Sequence, residues 1–144
     1  ADLREADLSR ANLYAADLSR ADLSGCIGLL DPAEWLRQLE QDAEGRGLVA
    51  YKTFGSNYAV PTSWRIEAGA TLTEIVNPDR GTDCGSGINL GTLAWMRANN
   101  EKTLPIWRCL VEWLDLAGCI VPFGADGRFR AGRVTVLGAV EEAS

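Results

Sequence analysis

The side chains best placed for chemistry gather in one glycine-rich stretch, Asp83-Cys84-Gly85-Ser86-Gly87-Ile88-Asn89, with Arg80 just ahead of it. Glycines let the main chain turn sharply, and successive amide N–H groups before a helix can cradle an anion. Gly85, Gly87 and Gly91 lead into Thr92 and an apolar helical stretch, so the segment has the form of an anion-holding loop. A tight structural connection with Cys84 buried has the same form. Cys84 and Ser86 are the possible nucleophiles, yet the chain contains no histidine to serve either as base. Ser86 would depend on Lys52, an acid or a terminal amine, and Cys84 on Arg80 and a helix start.

A second candidate is Asp126-Gly127-Arg128-Phe129-Arg130-Ala131-Gly132-Arg133. At strand spacing Arg128 and Arg130 share a face and could clasp a phosphate or carboxylate. Solvated edge charges that discourage aggregation would look the same. With Tyr51 and Lys52 of a neighbouring strand, the candidate ligand-binding set is Tyr51, Lys52, Arg80, Cys84, Gly85, Ser86, Gly87, Asn89, Arg128 and Arg130. No catalytic constellation is complete, so no residue is assigned a catalytic role. Convergence of Tyr51, Lys52, Cys84, Ser86, Asn89 and an arginine on one pocket would favour an enzyme; scattering would disfavour it.

Composition narrows the classes. The chain is 47% hydrophobic and 24% charged, with a net charge of −6. Residues 1–47 hold ten acids and five bases, and residues 48–144 hold ten acids and nine bases. That balance argues against non-specific nucleic-acid binding, which needs a positive field. No apolar run reaches the roughly 18 residues of a membrane span. Cys26, Cys84, Cys109 and Cys119 contain no C-x-x-C pair, so reduced buried thiols in a cytoplasmic setting are expected, with neither metal nor cofactor.

The elements that must position these residues follow from pattern. Asp31-Pro32-Ala33-Glu34 is a helix start, and the helix should run to about Ala43 with Trp35, Leu36 and Leu39 on one face. Leu48–Phe54, Thr71–Asn77, Pro105–Trp113 and Cys119–Phe123 read as strands. A second helix should begin near Thr92. Asp126-Gly127 is a hairpin turn into a last strand, Arg128–Val140. Strands grouped around two helices without regular βαβ units indicate an α+β class with a small mixed, mainly antiparallel sheet. Five tryptophans suit core packing, and an exposed one would mark a partner surface.

Ahead of all this stand five pentads in one register, ADLRE ADLSR ANLYA ADLSR ADLSG, with alanine first and leucine third. A five-residue period fits neither helix nor flat strand. The stretch resembles the pentapeptide-repeat proteins, whose motif is A-(D/N)-L-x-x. The resemblance implies a right-handed quadrilateral β-helix, here about one coil, with alanine and leucine inward and twenty residues per turn. The expected division is residues 1–28 as the β-helix fragment, 29–47 as a capping helix and linker, and 48–144 as an α+β domain. The chain also looks cut from a longer product, with more coils upstream.

The order YKTF, WRIEAGATLTE, DCGSGIN, IVPF and DGRFR over residues 48–138 resembles an uncharacterised domain found beside pentapeptide repeats in bacterial and phage proteins. Related domains carry a C-x-x-G-hydrophobic-His pattern, and Asn89 stands at the histidine place. The reading is therefore a non-catalytic interaction or scaffold module, binding a protein or small anionic ligand. The alternative is a nucleotide-handling, transferase-like enzyme with Lys52, Arg65, Cys84 and Ser86 around a cleft. End-to-end homo-oligomers through the β-helix are a third expectation, and DNA mimicry by so short an acidic rod is not expected.

Overall fold

Strand-forming residues with alternating burial build one curled sheet. The computed structural model describes residues 2–8, 18, 20–26, 28–56, 58–83 and 85–141. Its strands are β1 (Glu40–Gln41), β2 (Gly47–Lys52), β3 (Thr71–Thr73), β4 (Ile88–Gly91), β5 (Trp107–Glu112), β6 (Arg128–Ala131) and β7 (Arg133–Ala139). The sheet order is β3-β7-β5-β2-β4-β6, with β1 beside β2. Every strand pairing in it is antiparallel.

The strands β2 and β5 form the centre, paired from Gly47↔Glu112 to Lys52↔Trp107. Gly47 has no alternative there, because a Cβ would fall 2.0 Å from the Val111 carbonyl oxygen. Alternate residues face one core: Leu48 and Ala50, Ile88 and Leu90, Cys109 and Val111, Phe129 and Ala131, Val134 and Val136. Each fully buried large aliphatic side chain here contributes about 2 kcal/mol. Val49 and Tyr51 take the opposite face and pack with Met96, Leu93 and Trp95 of α2 (Leu93–Ala98). Thr92 caps that helix by accepting from the Trp95 N–H at 3.1 Å.

The segment Arg128–Val140 is not the single strand its pattern predicts. Gly132 splits Arg128–Val140 into β6 and β7, which sit towards opposite sides of the sheet order. The bend curls the sheet by sending one stretch of chain first along β4 and then along β5 and β3. Residues 119–123 form only the bridge Ile120↔Arg130, and Trp113–Gly118 is a short 3₁₀ helix. Thr71–Asn77 keeps strand pairing only as far as Thr73, although the Glu74 N–H still reaches the Gly132 carbonyl at 3.0 Å.

The first helix also ends earlier than its pattern predicts. The helix α1 spans Pro32–Leu36, with Asp31 capping the Ala33 N–H at 2.9 Å, and does not reach Ala43. Glu40 and Gln41 pair instead with Val49 and Leu48. Partnering a strand outweighs continuing a short helix whose propagation gains little. Trp35, Leu36 and Leu39 are buried as their spacing implies, but in the core of the sheet, where Trp35 meets Phe129 at 5.7 Å between ring centroids. The helix α1 and Leu39 thus pack on the core of the sheet.

In the repeat segment Asp2 pairs in parallel with Asp22, four pentads on. The Leu3 N–H donates to Asp22 at 2.9 Å and the Glu5 N–H to Ser24 at 2.8 Å. A short turn recurs in register, the Ala6, Ala21 and Cys26 N–H groups donating to Leu3, Leu18 and Leu23 carbonyls at 3.0–3.1 Å. Leu3, Leu8, Leu18 and Leu23 are half-buried while Asp2, Asp7 and Asp22 are exposed. Residues 9–17, which carry the middle pentads, lie outside the described residues.

Candidate functional site

The loop between β3 and β4 folds over the outer face of β4 and β6, and two polar side chains on those strands hold it there. Phe129 and Ala131 point into the core, so Arg130 between them points outward, under the loop. Arg130 is nonetheless fully buried. Its guanidinium donates to the carbonyls of Thr82 at 2.8 Å, Asn77 at 2.9 Å and Asp79 at 2.8 Å. Its cross-strand partner Asn89 donates from the side-chain amide to the Gly85 carbonyl at 3.0 Å and the Gly87 carbonyl at 3.4 Å. Gly87 sits at φ +135°, with an added Cβ only 3.2 Å from the Arg130 Cβ. Glycine alone allows the loop so close to the arginine.

The loop is tied elsewhere as well. The Ser86 hydroxyl donates to the Ile75 carbonyl at 2.6 Å, and the Asn77 N–H to the Ser86 carbonyl at 2.8 Å. Arg80 donates to the Val121 carbonyl at 2.7 Å and to the Leu30 carbonyl at 2.6 Å, with its guanidinium 4.2 Å from the Phe123 ring centroid. Beside it the Gly81 carbonyl accepts from the Leu18 N–H of the repeat segment at 3.1 Å. The Arg80 turn thus joins the repeat segment, the link after it and the sheet.

Arg128 goes its own way. Its guanidinium lies 4.7 Å from the Trp95 ring centroid and its Nε 3.5 Å from Asp126, whose carboxylate also accepts from the Trp95 indole N–H at 2.7 Å. Arg128 and Arg130 therefore start from one face but engage different partners. Tyr51 is directed to the face opposite the core, where its hydroxyl donates to Glu40, and Arg108 donates to the same carboxylate at 3.0 Å. Burial, reinforced by the bond to Glu40, raises the Tyr51 phenol above its ordinary range.

Lys52 differs from all of these. Its ammonium donates to the Asn89 carbonyl at 3.0 Å and lies 5.3 Å from the Phe54 ring centroid and 6.0 Å from that of Trp64. Phe54 meets Trp64 and Trp107 edge-on at 6.1 and 6.4 Å. Enclosure in this aromatic shell pushes the amine down to about 8. The shell was only half legible: the K-x-F spacing puts Lys52 and Phe54 on one face, while nothing local brings in Trp64 or Trp107.

Among the proposed set, then, Asn89 joins Lys52 through its carbonyl and the Gly85–Gly87 turn through its amide, whereas Tyr51, Arg80 and Arg128 lie at separate contacts. Cys84 lies outside the described residues. Cys109 and Cys119 are free thiols that burial pushes up to about 12 in each case, so neither supplies a thiolate near neutral pH. Among the described residues no cluster of three His, Cys, Asp or Glu side chains could hold a metal ion, and no helix is long and apolar enough to cross a membrane. Trp113 is 46% exposed beside Leu114 at 78%.

Comparison with known proteins touches one end of the chain. No curated protein and no solved structure matches it. Residues 1–27 match the family model described as pentapeptide repeats (8 copies).

Proposed function

We propose that this protein is a non-catalytic scaffold or interaction module of a bacterial or phage pentapeptide-repeat protein, acting in the cytoplasm and binding a protein or small anionic ligand. One observation carries the reading. Ser86, Asn89, Arg80 and Arg130, the groups best suited to chemistry, spend the hydrogen bonds described above on main-chain carbonyls. Such a loop is a clasp, and the repeat segment it grips is the scaffold.

The repeat match supports a generic scaffold role. The pairing of Asp2 with Asp22 supports a four-sided right-handed β-helix turn over residues 1–28, followed by a capping helix and linker at 29–47 and the α+β domain at 48–144. Trp113 and Leu114 offer a protein partner the exposed apolar contact typical of binding hot spots. End-to-end association through the open coil is the form of self-assembly this arrangement allows.

The test is a titration of the full chain with ATP and with inorganic phosphate, followed by amide NMR and by assay for phosphate release or transfer. No turnover is expected, and any anion binding should shift the amides of Gly85, Gly87 and Asn89. Measured turnover that survives purification would replace this reading with the nucleotide-handling one. Sedimentation of the same sample reports end-to-end association as a concentration-dependent mass.

A further inference from the structure

Only two lysines occur in the chain, and they could hardly be placed more differently. Lys102 is exposed, with its ammonium at the Ser56 carbonyl. Lys52 lies in the aromatic shell of Phe54, Trp64 and Trp107. Among the described residues no carboxylate pairs with it, and its one hydrogen-bond partner is the neutral Asn89 carbonyl. An ammonium has three donors. A single carbonyl and two ring faces compensate it poorly for lost water.

We propose that Lys52 is a covalent capture site for aldehydes or ketones with an aromatic or apolar body, which its amine takes up as an imine. Three features of the shell support this. Lys52, Phe54, Trp64 and Trp107 all keep part of their surface exposed, so the shell is not sealed from solvent. The ring faces suit a flat apolar ligand, which would gain stacking contact before reacting. The enclosed amine holds its proton less tightly than an ordinary lysine, so a larger share of it carries a free lone pair near neutral pH. The nearby Cys109 thiol is held protonated by burial and does not compete.

The chemistry balances without any other reactant. The nitrogen lone pair forms a bond to the carbonyl carbon while the C=O π pair moves to oxygen, which takes a proton to give a carbinolamine. One nitrogen proton makes up for the one the oxygen took, and loss of the hydroxyl with the single remaining nitrogen proton as water leaves C=N. Nothing is oxidised or reduced, and the reverse reaction releases the ligand. Capture of this kind requires no turnover and stands independently of the scaffold reading.

The two lysines supply their own control. Intact protein is treated with benzaldehyde and cyanoborohydride near neutral pH, and peptide mass spectrometry follows the benzyl adduct at each lysine. Lys52 is expected to react about tenfold faster than Lys102, with a rate that saturates in benzaldehyde. In urea the two rates should converge. A native Lys52 rate equal to or below that of Lys102, no adduct at Lys52, or a strictly linear dependence on benzaldehyde would each overturn the proposal. Because the wild-type chain is used throughout, no variant needs to fold.

Discussion

Arg130 and Lys52 are two cations drawn into one small sheet, and the strands that carry them flank β4. Arg130 lies under the outer loop and directs its planar fork at three carbonyls; Lys52 reaches the mouth of the core and finds one carbonyl among rings. A guanidinium whose donors meet fixed acceptors becomes a structural tie, since its geometry matches several oxygens at once. An ammonium in a shell with a single acceptor retains reactivity because its environment does not saturate it. Burial alone therefore does not say what a cation is for. The number of acceptors around it does.

Removing the two charges should break this comparison if it is wrong. Arg130→Met leaves the Asn77, Asp79 and Thr82 carbonyls without their donors and should cost about 4 kcal/mol in urea denaturation. Arg130→Lys should recover less than half of that, because one ammonium cannot span the three oxygens. Next in size, Gly87→Ala places a side chain at φ +135° and against the Arg130 Cβ, for a loss of about 2 kcal/mol by the same measurement. Lys52→Met, by contrast, exchanges a poorly solvated ammonium for a thioether of similar length that suits aromatic walls, and should cost nothing at neutral pH, the change being a gain of about 1–3 kcal/mol. Equal losses at Arg130 and Lys52 would erase the distinction between tie and reactive group.

These roles were unevenly legible in the chain. The Thr92 cap, the strands around Leu48 and Trp107 and the burial of Trp35 follow from local pattern, because caps and alternation act over a few residues. The five-residue register was plain for the same reason. Arg130 looked like a solvated edge charge since its own strand gives it an outward direction, and only the distant turn at Asn77–Thr82 covers it. The strand Ile88–Gly91 was hidden inside a glycine-rich stretch that reads as a loop; its pairing with β6 supplies what its propensity lacks. Gly132 bends a chain that locally looks continuous, and only the closure of the whole sheet calls for that bend. Sequence placed Lys52 among the candidates, but its surroundings come from residues as far along as Trp107.

The finest test separates the two cations by pH. The folded-state amine of Lys52 sits at about 8, below the ordinary 10.5. Below both values the unfolded and folded chains are protonated alike, and the native state carries the full penalty of a desolvated ammonium. Between about 8 and 10.5 the unfolded chain binds more protons than the native one, so unfolding free energy must rise with pH. Above that window both forms are neutral and the penalty is gone. Tyr51 also titrates in the alkaline range, but it points to the opposite face and is present in both proteins, so the difference between wild type and Lys52→Met removes it. That difference should therefore favour the methionine variant most below pH 8 and shrink steadily as pH climbs through the window. A difference that stays flat with pH would mean the ammonium is as well compensated in the shell as in water, and Lys52 would join Arg130 as a tie.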